Sequence, residues 1–307
     1  MHWDCFPGLD FVAAKGPLFT NVGGTHTKGI PYTVDPSGDS ERLRGKVLLI
    51  YDVPDMEEGT VPKLPGMGHI RIPQYPGYCC DLQGKNSVRE YIDLHLSKRA
   101  HARLRNYQNR LEREQRIRFT MVRGDIPEDA YGRLFDRFHA LLTKRFEDKQ
   151  TVNNNLDPEE WRFYKEVSLP MMRKGEAGLF IAYDGDVPVA MALLNFSQDR
   201  VFDVIRVFDI DYARYRLGTI SLVQQLEWCI RNNFKVLDFS KGHYEYKRQW
   251  STQAYMFHYH LWYDSKSLRS TLLARALALK FHLKFRARKY NLQESVHKIR
   301  YKLRPKA

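Results

Sequence analysis

Apolar residues first fall into a sustained helical rhythm at Ala100, Leu104, Tyr107 and Leu111, with Ser97 placed as an N-cap and no glycine or proline in the run. This predicts a long amphipathic helix. A second helix opens at Pro127 and carries Tyr131, Leu134, Phe135, Phe138, Leu141 and Leu142 on one stripe that must be buried. The run Asp157-Pro158-Glu159-Glu160 caps a third, with a carboxylate and a proline where the orphan amides lie, and Pro170 is expected to end or kink it.

The period then shortens. Leu179 to Tyr183 and Val187 to Phe196 are apolar runs joined through Asp184-Gly185, a dipeptide suited to tight hairpin turns, and Val201 to Phe208 follows as another strand. Leu222, Val223, Leu226, Cys229 and Ile230 mark a helix beginning near Gly218, and Lys235 to Phe239 reads as a short buried strand. Strand, helix, strand predicts a parallel crossover. The last strand, Tyr255 to Tyr263, sets Tyr255, Phe257, Tyr259, Leu261 and Tyr263 on one face and His258 and His260 on the other.

The beginning of the chain is different. Twelve of the 19 glycines and nine of the 14 prolines precede position 90, so short strands and turns are expected there, Lys46 to Tyr51 being the clearest strand. With 307 residues, 43% hydrophobic and 13% aromatic, the chain can bury one large core or two smaller ones. Cys5, Cys79, Cys80 and Cys229 lack the spacing of a zinc site, and adjacent cysteines are poorly placed to bridge each other, which fits a reducing cytoplasm. The start lacks the pattern of a secretory signal, and no 18 apolar residues run together.

A net charge of +13 predicts attraction to polyanions: nucleic acid, anionic lipid, cell-wall polymer or cofactor phosphates. One basic segment runs from Lys98 to Arg118 with only Glu112 and Glu114 opposing it. It can contact tRNA or polymer phosphate, dock on an anionic membrane, or be a solvated helix face. At the other end Leu268, Leu272, Leu273, Ala276, Leu277, Leu279, Phe281, Leu283 and Phe285 interleave with Arg269, Arg275, Lys280, Lys284, Arg286, Arg288 and Lys289. That is a basic amphipathic helix, which can lie on an anionic lipid surface, pack back on the core, or in part do both.

The densest cluster of chemistry is Asp238-Phe239-Ser240-Lys241-Gly242-His243-Tyr244-Glu245-Tyr246-Lys247-Arg248-Gln249-Trp250. It resembles the D-F-x-x-G-x-x-x-Y-K-x-x-W signature of the BioF2-like (CelD-type) and FemAB-like groups of the GNAT superfamily. Upstream, Tyr212-Ala213-Arg214-Tyr215-Arg216-Leu217-Gly218 resembles the turn entering the cofactor-side helix of that family, and the similarity extends over roughly residues 88 to 263. The resemblance implies an α/β fold, a GNAT-like mixed sheet flanked by helices, as two GNAT-like halves of which the N-terminal one is reduced. It also implies acyl transfer from acetyl-coenzyme A or another acyl-coenzyme A, or in some branches from aminoacyl-tRNA.

Under that resemblance Tyr215, Arg216, Leu217, Gly218 and Thr219 are the expected donor-binding turn, because a glycine before a helix N-terminus lets backbone amides approach a pyrophosphate. The ordinary pattern Q/R-x-x-G-x-G/A is broken, since Tyr215 stands where Gln or Arg is usual and Ile220 where a small residue is usual. Acyl transfer needs a base for the attacking amine, donors for the oxyanion and an acid for the leaving group. His243, Asp238 and Asp209 are the leading base candidates, beside Asp203, Asp211 and Glu245. Asp203 and Asp209 share strand parity with Ile205 and Val207, an apolar setting that would raise a carboxyl pKa. Tyr246 is the candidate acid, and Lys247 the holder of an anionic group. His258 and His260 have metal spacing without a third ligand nearby, so no metal is expected.

The expected organisation is a strand-rich GNAT-like half over 1–118 ending in the basic helix, a GNAT-like catalytic domain over 119–264, and a basic helical tail over 265–307. The expected activity is that of an N-acyltransferase, acetyl transfer to an amine first among them, acting on a cell-envelope, polysaccharide or small-molecule acceptor that can be anionic or lipid-linked. An aminoacyl-tRNA-dependent FemAB-type transferase is the alternative, with nucleic acid as partner only in that case. The other is a non-catalytic RNA- or membrane-binding protein on a GNAT scaffold. Cytoplasmic placement is expected, with peripheral contact at the inner face of the membrane through the tail.

Overall fold

A computed structural model of the protein describes residues 11–14, 44–55, 65–242 and 244–289. The first elements are β1 (Phe11–Ala14), β2 (Val47–Pro54), β3 (Met67–Asp81), α1 (Val88–His95), α2 (Lys98–Glu114) and β4 (Ile117–Arg123). Next come α3 (Glu128–Asp148), α4 (Pro158–Arg173), β5 (Ala177–Asp184), β6 (Val187–Ser197) and β7 (Arg200–Phe208). A 3-10 turn (Ile210–Tyr215) leads to α5 (Leu217–Arg231), followed by β8 (Val236–Lys241), α6 (Glu245–Trp250), β9 (Gln253–Asp264) and α7 (Leu268–Lys289). The chain divides into two compact units.

The first unit draws on the described residues up to Tyr78, on Lys241, Gly242 and Tyr244, and on the stretch from Ala254 to the end of α7. Its strands lie in the order β1-β2-β9-β3, with β1 parallel and β9 antiparallel to β2. Val47, Leu49, Ile72, Tyr259 and Leu261 form a core with Leu273, Ala274, Ala278 and Phe281 of α7. The sequence places tyrosines and histidines on opposite faces of β9, and both faces are buried in the middle of the strand: His260 and Trp262 gather with His69, away from the cluster under α7. The rings of Tyr263 and Tyr255 fill the space over Gly68 and Gly77, so close that any Cβ there would collide with them. A bulge at Tyr51 and Asp52 interrupts the β2–β9 ladder, with Asp52 left-handed (φ 57°) and its carboxylate paired to Lys241.

The second unit draws on Cys79–Ser240 and Glu245–Gln253. Strands β4, β5, β6 and β7 form an antiparallel meander and β8 joins β7 in parallel, so the crossover expected through α5 is present. This is a mixed α/β sheet flanked by helices, as the resemblance implies. The two-residue hairpin loop after Asp184 has Gly185 at φ 57°. Ser97 caps α2 by accepting from the Ala100 amide, and Asp157 caps α4 by accepting from the amides of Glu159 and Glu160. Helix α4 does not end at Pro170: it continues to Arg173, because in the last turn the missing N–H costs one bond and the end is secured by Lys174 N–H to the Pro170 carbonyl. Leu111 of α2 and Leu217 and Ile220 of α5 pack on Ala182, Val189 and Ala190 of the hairpin, while α3 and α4 supply an aromatic cluster of Tyr131, Phe135, Phe138 and Trp161 beside β5 to β7.

Candidate functional site

Two departures from regular sheet geometry mark the centre of the second unit. Parallel strands β7 and β8 pair only at Arg200–Val236, Val201–Leu237 and Phe202–Asp238. Beyond Phe202 no strand among the described residues pairs with the β7 edge on that side. In the β6–β7 ladder Leu193 faces Ile205 while Leu194 faces Asp203, so Val204 is an extra, bulged residue.

The bulge decides which side chains share a face. In a regular strand Asp203 and Arg206 would point to opposite sides; one extra residue brings them together. The Arg206 guanidinium bonds the Asp203 carboxylate through Nε at 2.7 Å and through Nη2 at 2.6 Å, and it also donates to Gln225 Oε1 on α5. Phe208, of the same parity as Arg206, lies against Gly218 near the start of α5. Asp203 therefore does not share a face with Ile205 and Val207, as strand parity predicts, and it lies against a cation instead of an apolar surround. Within this buried network Arg206 Nη1 and Gln225 Nε2 have no hydrogen-bond partner, and orphaned buried donors are costly unless a ligand or water meets them.

Contacts along the crossover orient the splay. Gln225 meets Arg206 and Gly218 meets Phe208, so the N-terminus of α5 lies at the C-terminal end of β7, the end toward which β7 and β8 part. Arg216 stands before α5 in the left-handed conformation (φ 57°), without a side-chain cap, and Arg214 and Arg216 are exposed there. Such a terminus favours anions. Of the other turn residues, Tyr215, Leu217 and Ile220 are buried in the core and Thr219 is half-buried, its amide bonded to the Arg216 carbonyl. The Tyr215 hydroxyl donates to Glu114 at 2.8 Å and accepts from Gln115 at 3.0 Å. Gly218 has a packing reason to be glycine: a Cβ would sit 2.7 Å from the Phe208 ring, whose face is covered by the Arg145 guanidinium at 4.0 Å.

The signature residues form a second group, at the end of β8. Asp238 is fully buried, its carboxylate accepting from the Ser240 amide at 2.7 Å and from Arg200 at 3.4 Å. Ser240 is left-handed (φ 58°) with a buried, unpartnered hydroxyl. Lys247 is also buried and donates to the Phe239 carbonyl at 2.6 Å, fastening α6 to β8 itself. Tyr246, half-buried, meets the Phe239 ring edge-on. The Trp250 carbonyl accepts from the Tyr91 hydroxyl and from the Cys80 thiol. Burial pushes the thiol of Cys79 up to about 12 and that of Cys80 well above its ordinary range, so neither is a ready nucleophile. His243 lies outside the described residues.

Asp209 belongs to neither group. It follows Phe208, caps the 3-10 turn by accepting from the Asp211 amide, and is bridged by Lys144 at 2.6 Å and Arg137 at 3.4 Å, which tie it to α3. Arg206 and Gln225 were invisible to motif reading, though each has a signal: a cation inside a β-branched strand and an amide on the buried face of an apolar helix. Among the described residues no group of three or more His, Cys, Asp or Glu could hold a metal ion.

Residues 98–248 match the family model described as "Acetyltransferase (GNAT) domain". The crystal structure of FemX shares the fold, with a TM-score of 0.54 at 11% identity over 84% of this chain and 82% of that chain. A conserved protein of unknown function from Bacteroides thetaiotaomicron gives a TM-score of 0.48 at 12% identity, covering 75% of this chain and 76% of that chain. L-PGS from Bacillus licheniformis gives 0.47 at 10%, covering 78% and 75%. No curated protein sequence matches the chain.

Proposed function

We propose, from the match of residues 98–248 to the GNAT acetyltransferase domain, an N-acyltransferase that moves an acyl or aminoacyl group from a phosphate-bearing donor to an amine. The observation that carries this reading is the parting of β7 and β8 toward the uncapped N-terminus of α5. An unpaired strand edge suits an extended, amide-bearing donor arm, which can add to it as a strand does. Phosphates at the far end of that arm would meet the α5 amides, Arg214 and Arg216.

Acyl-coenzyme A and aminoacyl-tRNA share this chemistry. Exposed arginines and an uncapped helix fit either donor. Tyr215 and Ile220, buried where the ordinary turn is Gln or Arg and a small residue, favour the aminoacyl-tRNA branch, since they give phosphate less access to the backbone.

The attacking amine must lose a proton and the tetrahedral oxyanion must be met by donors. Arg206 Nη1 and Gln225 Nε2 are unpartnered donors beside the splay and are offered for the oxyanion or the donor's carbonyls. Asp238 and Asp209 have their carboxylates engaged by Arg200 and by Lys144 and Arg137, so of the leading candidates His243 is preferred as base, with Tyr246 as acid. Lys247 is read as a positioning residue.

Titration calorimetry with acetyl-coenzyme A and free coenzyme A, beside filter binding of aminoacyl-tRNA, tests the reading. One donor is expected to bind, about tenfold more weakly in Arg214→Gln/Arg216→Gln. Failure of both to bind, or binding indifferent to that change, overturns it.

A further inference from the structure

Helix α7 carries apolar side chains on two opposite faces. Its inner face, with Leu273, Ala274, Ala278 and Phe281, is buried in the first unit. On the other side Leu268, Leu272, Leu279 and Leu283 are 75%, 59%, 62% and 56% exposed, and at 100° per residue all four fall within about 60° of arc. They make a stripe about 22 Å long at 1.5 Å per residue. A single exposed leucine is ordinary; four in line on one helix are not.

The charges beside the stripe are all of one sign. Arg275 and Arg286 flank one edge and Arg269 and Lys280 the other, all exposed. From Ser265 to Gln293 the sequence has no Asp or Glu. A second copy of this helix would bring like charges together across the leucines, and a cationic rim makes a poor seat for another basic surface. A negatively charged bilayer meets both features, since acyl chains accept the leucines while headgroup phosphates pair with the arginines. No helix among the described residues is long and apolar enough to cross a membrane, so the contact is parallel to the surface.

We propose that the outer face of α7 is a peripheral membrane-docking surface for anionic phospholipid, with Leu268, Leu272, Leu279 and Leu283 inserting below Arg275 and Arg286. This stands independently of the acyl donor. It would hold the protein where lipid-linked or envelope-bound amines are found.

The test is co-sedimentation of the full chain with vesicles of phosphatidylcholine alone, or with roughly a third phosphatidylglycerol, at low and high salt. Binding is expected only to the anionic vesicles, falling at least about tenfold in Leu272→Gln/Leu279→Gln and comparably in Arg275→Gln/Arg286→Gln. The four positions are exposed, so unchanged circular dichroism and melting would show that the fold is kept. Equal binding by the leucine variant, equal binding to neutral vesicles, or no binding would overturn the proposal. A leucine-dependent dimer in sedimentation velocity without lipid would overturn it too, assigning the stripe to self-association.

Discussion

Arg206 bonds Asp203 three residues back along the same strand, a contact that exists because Val204 bulges out of the β6–β7 ladder. Both side chains are largely buried, at 13% and 3% exposure, and removing one partner strands the other charge. Arg206→Met is expected to destabilise the protein by about 3 kcal/mol, most of it recovered in Asp203→Asn/Arg206→Met. Urea unfolding of the two variants checks this; a single variant as stable as wild type would contradict the pairing.

The second expectation concerns Gly218. Alanine is the better helix former by about 1 kcal/mol, yet its methyl would sit 2.7 Å from the Phe208 ring, and overpacking of this kind costs roughly 1–3 kcal/mol. The steric effect should win, giving a net loss of about 1 kcal/mol in Gly218→Ala. In a Phe208→Leu background the same change should become neutral or favourable. If Gly218→Ala is harmless in both backgrounds but abolishes donor binding, the glycine serves phosphate approach instead.

Neither of these two contacts was legible in the sequence, whereas purely local features were. Ser97, Asp157 and Gly185 act on their own neighbours through caps and a turn, so their roles follow from local pattern, as does the helical stripe of Tyr131, Phe135 and Phe138. Residue parity along β7 failed because a one-residue bulge is a property of the ladder with β6 and leaves no local mark. Close contact between Phe208 and Gly218 and the burial of Lys247 depend on packing across elements. Helix α7 was recognisable as basic and amphipathic, but which leucines turn inward follows only from its seat on Tyr259 and Leu261.

Acid sensitivity is expected in the first unit. Burial first, then the charges of His69, His258 and Arg71, pushes His260 down to about 3; burial and Arg71 push His69 down to about 4. Both histidines are therefore neutral in the folded state well below the pH near 6.5 at which they protonate when unfolded. Protons then bind the unfolded chain preferentially, so this contribution to stability is complete above about pH 6.5 and is lost as pH falls toward 4 and 3. Denaturant midpoints between pH 7 and 4 should fall less steeply in His260→Gln than in wild type; parallel slopes would count against neutral burial.

Lys247 separates a positioning role from a binding role. Its ammonium is buried and donates to the Phe239 carbonyl, which joins α6 to β8 and so sets the approach of Tyr246 to Phe239. A residue that holds donor phosphate would, on replacement, lose donor affinity and leave stability nearly unchanged. A residue that fastens helix to strand should do the reverse: Lys247→Met is expected to lower stability by about 2 kcal/mol, the order of a buried hydrogen bond to a charged group, while the folded protein keeps its donor affinity. Turnover should still decline, because Tyr246 loses its fixed approach, and that decline should appear in kcat with KM unchanged. A rise in KM at wild-type stability would instead assign Lys247 to the donor. Each result moves the measurement that the other leaves unchanged, so one urea titration and one saturation curve on the same preparation decide between them.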